Sequence, residues 1–489
     1  MTTATKARPR DKPTKRATIV EAMDGVFAAW FAGGASWDGW RAVLKAMDGL
    51  PMSETEVEFF KSIAGGREPP SRRVSEFVAA CARRTGKDSV GSLVAAHSAA
   101  LFDGQDKLRP GERAQVLCLA CDRDQAKIIL RYIKSYFETI PALRAMVERE
   151  TKDGFELNNG VDITVATNSF RSVRGRPILL AILDEAAFFA SETSASPDTE
   201  LYAAIKPALA TIPNSRIIII SSPYKRSGLL WNQYKRFFGV NDDNTLVVQA
   251  SVRQLNPTIP EAVVAAAIEE DPAAASSEWL GQFRSDIESF LGREAIEAVT
   301  SPGVLERGRI SGKQFYAYTD PSGGSADSMT LAVAHMERRN SEKVVILDAI
   351  RERRPPFSPE GVVDEFCRLL RAYGITTVRG DRYAGEWPRE RFRAAGIQYE
   401  LSDKTTSDIY RDFLPIVNSR QCDLLDHKRL FTQLVNLERR TSRGGRDLIG
   451  HPPGSHDDIA NAVAGVVVQT RAASNVQPAR YIYFDFMGR

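Results

Sequence analysis

Apolar and polar positions follow two different periods along the first part of the chain. Short, almost wholly apolar runs predict buried strands, and they lie at 73–80, 115–120, 161–166, 178–183 and 215–221. The stretches between them place apolar residues three or four positions apart, as after Asp122, and predict helices. Strands that alternate with helices predict a parallel sheet covered on both faces. The pattern therefore predicts an α/β fold.

The residues before the first predicted strand have a different pattern. Residues 17–65 repeat with helical periods, and Trp37 and Trp40 fall on one face. Ser53 precedes an acidic and apolar stretch, which is typical of a helix start. We expect a packed helical lid or adaptor here. Residues 1–16 contain six Lys or Arg residues, one Asp and two prolines, which predicts a disordered basic tail that either touches DNA or is a solvated end.

A second unit is predicted to begin after a domain boundary near 295–310, where Ser301-Pro-Gly and Arg307-Gly-Arg interrupt the pattern. Three apolar strands with short connections follow, which predicts an antiparallel meander. The predicted elements of this unit are strands at 314–320, 329–335 and 343–350, a helix at 358–373, a strand at 376–381 and a helix that begins at His456.

The stretch from Cys81 to Val90 contains a Gly-Lys pair between a predicted strand and a helix predicted from Val90. This is the context of a phosphate-binding loop, in which helix N–H groups and the helix dipole face the anion. Lys87 would reach the β- and γ-phosphates. Cys81 and Asp88 depart from the pattern G-x-x-x-x-G-K-[ST], and Ser89 follows one residue late, so either Asp88 or Ser89 is the Mg²⁺ ligand. The alternative is a turn with a solvated lysine.

The apolar run from Ile178 ends in Asp184 and Glu185. Carboxylates at the C-terminal end of a parallel strand fall in the crevice where α/β sheets bind ligands. We expect Asp184 to hold Mg²⁺ through water and Glu185 to polarise the attacking water. The alternative is an acidic N-cap after a core strand. The run from Ser215 ends in Ser221 and Ser222, which are expected to sense the γ-phosphate or to cap the next segment.

Arg171, Arg174 and Arg176 surround a glycine and predict a loop that contacts phosphate or a DNA backbone; a solvated loop is the alternative. Because the net charge is only +3, contact with nucleic acid must come from such local patches.

Four acids of the second unit stand at the ends of predicted elements: Asp320, Asp381, Asp457 and Asp458. Acids at two strand ends and one helix start can converge on one or two hard cations, and Mg²⁺ or Mn²⁺ accepts an all-oxygen shell. Two such ions can cut phosphodiesters. Separate strand-end acids with one acid that caps the helix are the alternative.

Composition narrows the class of protein. A chain of 489 residues predicts two or three domains. No apolar run reaches the ~18 residues that span a bilayer, and the N-terminus lacks the apolar core of a signal peptide, so no membrane contact is expected. Five histidines exclude a His-rich metal site. Five cysteines, most of them in predicted core elements, favour a reducing cytosol, and Cys118 and Cys121 are interpreted as core residues.

Taken together, these motifs resemble the large terminase subunit of tailed bacteriophages. The segment 82–89 is similar to the family's phosphate-binding loop, 180–188 to its Walker B strand, and 217–223 to its coupling motif. Asp320, Asp381 and His456-Asp-Asp look like its nuclease acids, and the order of strands and helices after residue 314 is that of an RNase H-like nuclease. The resemblance covers roughly residues 35–470.

The resemblance implies a P-loop ATPase domain of the RecA/ASCE-like type, with its helical lid, at 17–300. It also implies an RNase H-like nuclease domain at 301–475 and a C-terminal tail at 476–489. The implied cofactors are ATP with Mg²⁺, and Mg²⁺ or Mn²⁺ at the nuclease. The implied nucleotide-binding residues are Arg83, Arg84, Thr85, Gly86, Lys87, Asp88, Ser89, Asp184, Ser221 and Ser222. Arg83 or Arg84 would stabilise transition-state charge in cis.

By the same resemblance, the protein packages double-stranded DNA into a procapsid in the host cytoplasm and cuts concatemers. It would act as a ring on the portal, with a small terminase subunit that selects the DNA. Two other interpretations are open. One is a helicase-like repair ATPase with a nuclease, although the sequence between 230 and 310 lacks a second RecA-like core. The other is an inactive prophage remnant that serves as a DNA-binding scaffold.

Overall fold

The computed structural model describes residues 16–167, 173, 175–189, 194, 197–322, 327–381, 387–441, 447–452 and 455–474. These residues form two compact units. The main division along the chain falls between Ser285 and Asp286, and Ser194 is grouped with the second unit. No helix in the described ranges is both long and apolar enough to cross a membrane. All five cysteines lie within these ranges, and each is unpaired.

The first unit is built on an eight-stranded sheet with the order β3-β4-β5-β2-β6-β7-β1-β8. Its strands are β1 (Glu76–Cys81), β2 (Ala114–Ala120), β3 (Val147–Thr151), β4 (Gly154–Leu157), β5 (Val161–Thr167), β6 (Ile178–Asp184), β7 (Arg216–Ser221) and β8 (Thr245–Ala250). From β5 to β8 every neighbouring pair is parallel, and β3 and β4 join in antiparallel fashion. The predicted α/β fold with a parallel sheet is therefore confirmed.

Helices cover this sheet and extend before it. They are α1 (Ile19–Asp24), α2 (Asp38–Asp48), α3 (Glu54–Ile63), α4 (Lys87–Ala100), α5 (Arg123–Thr139), α6 (Pro141–Arg144), α7 (Pro197–Leu209), α8 (Gly228–Phe237), α9 (Val252–Leu255), α10 (Glu261–Glu270) and α11 (Pro272–Glu278). Ser53 caps α3 as predicted, and its side chain accepts a hydrogen bond from the backbone of Glu56. Trp40 is buried in α2, whereas Trp37 lies in a short turn just before it.

Three local expectations differ from the structure. Helix α4 begins at Lys87 and not at Val90, because Gly86 in a left-handed conformation is its N-cap. Strand β1 begins at Glu76, after Ser75. Strands β3, β4 and β8 were not predicted. The residues of β3 are mostly exposed, and β8 is a short run that includes the polar residues Thr245 and Gln249.

The second unit contains a seven-stranded mixed sheet with the order β10-β16-β13-β12-β11-β14-β15 and a three-stranded sheet β18-β17-β9. Its strands are β9 (Ile287–Ser289), β10 (Thr300–Ser301), β11 (Phe315–Asp320), β12 (Met329–Arg339), β13 (Glu342–Arg353), β14 (Thr377–Gly380), β15 (Gln398–Leu401), β16 (Cys422–Leu425), β17 (Glu438–Thr441) and β18 (Asp447–Gly450). Strands β11, β12 and β13 form the predicted antiparallel meander, and β14 joins β11 in parallel.

The helices of this unit are α12 (Arg293–Glu297), α13 (Pro359–Tyr373), α14 (Trp387–Ala394), α15 (Thr406–Asn418), α16 (Lys428–Val435) and α17 (Asp458–Ala473). Helix α17 is buried along almost its whole length and packs across β11, β12 and β13. Gly465 allows this close approach, since a Cβ there would lie 2.5 Å from the ring of Tyr318 on β11. The Thr330 hydroxyl donates to the Asp458 carbonyl oxygen over 2.7 Å and anchors the start of α17 to β12.

Candidate active sites

The loop between β1 and α4 is held in place by three neighbouring segments of the first unit. The Trp40 indole Nε1 donates to the Thr85 carbonyl oxygen over 2.6 Å, and the Asn256 amide donates to the Arg84 carbonyl oxygen over 2.8 Å. The Arg83 backbone N–H donates to the Glu278 carbonyl oxygen over 2.8 Å. The Arg83 and Arg84 side chains are both exposed. The loop backbone is therefore fixed while its two arginines remain accessible to a ligand.

Gly86 gives this loop its close turn into α4. Its φ is +84°, and a Cβ would lie 2.8 Å from the ring of Trp37. The first N–H groups of α4 follow directly, as an anion site at a helix start requires. Lys87, the first residue of the helix, is buried with its ammonium group directed at the end of β6.

Lys87 and Glu185 form a buried ion pair. The Lys87 Nζ lies 2.9 Å from Glu185 Oε1, and it also donates to the Ser222 hydroxyl over 3.3 Å. Burial lowers the pKa of Lys87, but the charges of Glu185 and Asp88 outweigh it and leave the pKa above its ordinary value. Lys87 is therefore a cation held among carboxylates.

The carboxylate of Glu185 also bridges to the end of β7. It accepts hydrogen bonds from the Ser221 hydroxyl over 3.1 Å and from the Ser222 backbone N–H over 3.2 Å. Glu185 itself has a φ of +52°, a left-handed conformation that is uncommon for a residue other than glycine. Because β7 lies between β1 and β6, the ends of three adjacent strands bring Lys87, Glu185, Ser221 and Ser222 into one network.

Asp184 lies beside this network and is 1% exposed. Its Oδ1 is buried and accepts no hydrogen bond from any described residue. Burial, together with the charges of Asp88 and Glu185, raises the pKa of Asp184 well above its ordinary value. The charges of three carboxylates, Asp88, Asp184 and Glu185, act on Lys87, so the oxygen ligands and the unpaired Asp184 Oδ1 fit a divalent cation. Ser89 is partly buried nearby, and whether it or Asp88 is the ligand stays a prediction.

The predicted arginine loop is only partly described. Arg171 and Arg174 lie outside the described residues, as does the basic tail up to residue 15. Arg176 is exposed and, with Lys107 and Arg109, lines a cavity of about 780 Å³. The lining also contains Glu112, so three basic side chains and one acid leave it with a net positive charge, as a contact with phosphate requires.

The second candidate site begins with the pair Asp320 and Asp381. Asp320 ends β11, and Asp381 directly follows β14, the parallel neighbour of β11. The Nδ2 atom of Asn461 on α17 lies between them and donates to Asp320 Oδ2 over 3.0 Å and to Asp381 Oδ2 over 2.7 Å. Burial and the charge of Asp381 raise the pKa of Asp320 well above its ordinary value. The two carboxylates thus converge, as predicted from the strand ends.

Hydroxyl groups hold these acids from other sides. The Tyr318 hydroxyl donates to Asp381 Oδ1, and the Thr406 hydroxyl donates to Asp381 Oδ2 over 3.3 Å. The Tyr410 hydroxyl donates to Asp457 Oδ2 over 2.9 Å. The acids are therefore oriented by the protein before any ligand binds.

Asp457 and Asp458 have different surroundings, although they are neighbours in sequence. Asp457 is the N-cap residue of α17, but its side chain makes no capping hydrogen bond, unlike the capping alternative. Within the described ranges, Asp327, His456 and Asp458 are the set of three whose possible ligand atoms all lie within 4.8 Å of one another. At this spacing Asp458 groups with Asp327 and His456, and not with Asp320, Asp381 or Asp457. Burial raises the pKa of Asp458 to about 6.

Sequence reasoning missed Trp40 as a partner of the phosphate-binding loop and Asn461 and Tyr410 as partners of the acids. A weak signal existed for Asn461, which lies one helical turn after Asp457 and so shares its face of α17. Tyr410 and Trp40 had none, because each is far in sequence from the group that it contacts.

No protein-family model and no curated protein matches the chain. Among solved structures, the large terminase of bacteriophage HK97 has 16% identity and a TM-score of 0.39, and the match covers 88% of this chain and 99% of that one. The large terminase of a thermophilic bacteriophage in complex with ATP-γ-S has 11% identity and a TM-score of 0.37, over 88% and 98% of the two chains.

The large terminase nuclease of thermophilic phage G20c with bound magnesium has 15% identity and a TM-score of 0.31, over 36% of this chain and 94% of that one. At these identities and TM-scores, the function has to be argued from the two sites themselves. The chain is similar to large terminases of bacteriophages.

Proposed function

We propose that this chain is the ATP-driven motor and nuclease that packages bacteriophage DNA. The observation that supports this function most directly is the presence of two separate reaction centres in one chain. Lys87 and Glu185 pair at the crevice of a parallel sheet. Asp320 and Asp381, at strand ends of a mixed sheet, both accept a hydrogen bond from Asn461 on α17. The first centre suits hydrolysis of a nucleoside triphosphate, and the second suits hydrolysis of a phosphodiester. A motor that moves and cuts DNA needs both.

At the first centre, the loop backbone and Lys87 bind the phosphates of ATP. Because Lys87 pairs with Glu185 over 2.9 Å, its contact with phosphate competes with this ion pair and frees the carboxylate to orient the attacking water. Asp184, with Asp88 or Ser89, would hold Mg²⁺, which would neutralise developing phosphate charge. Arg83 or Arg84, exposed on the loop, stabilises the transition state in cis.

Ser221 and Ser222 couple hydrolysis to movement. Both serines donate hydrogen bonds to Glu185, and the Ser222 hydroxyl also accepts one from Lys87. A change in the contacts of Glu185 or Lys87 therefore changes the hydrogen bonds at the end of β7. The strand end therefore has the contacts needed to sense the γ-phosphate and its loss.

At the second centre, Asp320 and Asp381 would hold Mg²⁺ or Mn²⁺, and Asp457 or Asp458 would add a further oxygen ligand. A divalent cation there would activate water and stabilise charge on the phosphodiester. The hydrogen bonds from Tyr318 and Tyr410 orient the carboxylates for this task. The unpaired Oδ1 of Asn461, which accepts no bond within the described ranges, indicates that the donor set has capacity for a ligand.

The order of motifs along the chain supports the wider biological role. Double-stranded DNA is the substrate, taken into a procapsid through a portal in the host cytoplasm. The chain self-associates into a ring on the portal, and a small terminase subunit selects the DNA. Local basic residues such as Arg176 contact the DNA backbone.

Assays of the purified full chain test the two activities separately. Lys87→Ala should abolish ATP hydrolysis but not Mn²⁺-dependent cutting of a plasmid. Asp320→Ala should abolish the cutting but not ATP hydrolysis. Lys127→Ala and Asp364→Ala are matched controls at exposed positions in each unit and should leave both activities intact. A wild-type chain that neither hydrolyses ATP nor cuts DNA with Mg²⁺ or Mn²⁺ would refute the proposal.

A further inference from the structure

Asn461 is the residue that joins the two converging carboxylates of the second unit. Its Nδ2 lies 3.0 Å from Asp320 Oδ2 and 2.7 Å from Asp381 Oδ2. One amide nitrogen thus gives each carboxylate a hydrogen atom, and the partial positive charge of the NH₂ group offsets their repulsion. A cation shared by these two oxygens needs the space that the NH₂ group borders.

The oxygen of the same amide, Asn461 Oδ1, does not contribute to holding the carboxylates. Asn461 is 3% exposed, and its Oδ1 is buried without a hydrogen-bond donor among the described residues. A buried amide oxygen without a donor is unfavourable, so native proteins rarely keep one without a reason. A rotation of the amide about its last torsion would exchange the two ends. It would break the two hydrogen bonds of Nδ2 but none of Oδ1 within these ranges.

We infer that Asn461 is a ligand of the nuclease cation and that its amide turns when the cation binds, so that Oδ1 replaces Nδ2 between Asp320 and Asp381. This inference rests on the proposed nuclease function. An NH₂ group directed at a cation is repelled by it, whereas a carbonyl oxygen is a ligand that Mg²⁺ and Mn²⁺ accept. The turn thus converts a group that holds the metal-free site together into one that binds the metal.

Asp381 does not depend on Asn461 alone for its position. The Tyr318 hydroxyl holds Asp381 Oδ1, and the Thr406 hydroxyl holds Asp381 Oδ2 over 3.3 Å. Asn461 is itself fixed in α17, where its backbone N–H donates to the Asp457 carbonyl oxygen over 2.8 Å. The amide can therefore turn while the α17 backbone and Asp381 keep their other hydrogen bonds.

Mn²⁺ binding to the full chain without DNA or ATP tests this by calorimetry. Asn461→Leu keeps a similar volume and has no ligand oxygen, and it should weaken Mn²⁺ binding at least about tenfold, the lower end of losses caused by removing residues around metal sites. Asn461→Asp keeps an oxygen and loses the NH₂ group, and it should bind Mn²⁺ at least as tightly as the wild type. Thr470→Val, in a buried position further along α17, is the control for packing of this helix.

The outcomes separate this inference from the proposed function. Wild-type affinity in Asn461→Leu would overturn the ligand role, and a loss in Asn461→Asp equal to that in Asn461→Leu would show that the NH₂ group is the part that matters. If the wild type and Asp320→Ala bind Mn²⁺ alike, the nuclease site itself is refuted.

A crystal structure of the wild type with Mn²⁺ needs no variant. The inference predicts Asn461 Oδ1 in the coordination shell of the ion, and an ion bound with Nδ2 still bonded to both carboxylates would overturn it. This structure tests the ligand role of Asn461 even if Asn461→Leu fails to fold.

Discussion

Substitution of Trp40 by Phe should weaken ATP binding more than it destabilises the fold. Trp40 is 1% exposed, and its indole N–H donates to the Thr85 carbonyl oxygen over 2.6 Å within the phosphate-binding loop. Phenylalanine keeps an aromatic ring in the core but removes this donor. A buried carbonyl that loses its donor costs about 1–3 kcal/mol.

Most of that cost should be paid when ATP binds. In the Trp40→Phe variant without nucleotide, the loop can turn its Thr85 carbonyl towards water, which replaces the lost hydrogen bond. This turn moves the neighbouring N–H groups away from their phosphate-binding positions. Binding then has to restore the unfavourable loop conformation. At about 1.4 kcal/mol per tenfold change, a cost of 1–3 kcal/mol weakens ATP binding by about fivefold to 150-fold.

Calorimetry with a non-hydrolysable ATP analogue measures this, and thermal unfolding measures the effect on the fold. Trp37→Phe is the matched control. Its ring packs on the same loop at Gly86, but its indole N–H bonds to Ala32 within the lid over 3.4 Å. The reasoning is refuted if Trp40→Phe binds the analogue within twofold of the wild type, or if Trp37→Phe is impaired to the same extent.

Glu185→Gln should still bind ATP but hydrolyse it about 10²- to 10⁴-fold more slowly, since it loses the charge that activates water; phosphate-release kinetics at wild-type speed would argue against Glu185 as the catalytic acid. Gly465→Ala should destabilise the second unit by about 1–3 kcal/mol, because its Cβ would lie 2.5 Å from the ring of Tyr318; denaturant unfolding at the wild-type midpoint would contradict this packing. Affinity for DNA should fall steeply with salt and vary little with sequence, and fluorescence anisotropy that found salt-insensitive, sequence-specific binding would exclude a backbone contact through basic patches.

The strands of the first sheet differ in how well their sequence predicts them, for a physical reason. Strands β6 and β7 are buried on both faces, so nearly every side chain is apolar and the run is easily seen. Strand β3 lies at the edge of the sheet and its side chains are mostly exposed. Its sequence, Val-Glu-Arg-Glu-Thr, therefore lacks the apolar pattern that predicts a strand. Its place depends on its pairing with β4.

The departures from the usual phosphate-binding pattern also have a structural explanation. Cys81 is the last residue of β1 and is wholly buried, so it fills a core position in which a glycine would leave a void. Arg84 adopts a φ of +61° without being a glycine, and the Asn256 side chain holds its carbonyl oxygen over 2.8 Å. The loop conformation is therefore supported by a side chain that is distant in sequence. A sequence pattern that requires glycines within the loop does not take this support into account.

The division of the acids in the second unit follows from the face that α17 turns to its sheet. Asp457, Asn461 and Gly465 are four residues apart and form one stripe, and Gly465 presses that stripe against Tyr318 on β11. Asn461 consequently faces Asp320 and Asp381, whereas Asp458, one residue out of step with the stripe, lies with Asp327 and His456. The sequence contains this stripe, but an apolar helix buried on nearly all sides has no polar face to indicate which stripe meets the strand ends. The contact between Gly465 and Tyr318 selects the stripe, and because that contact joins residues far apart in the chain, no local pattern could predict it.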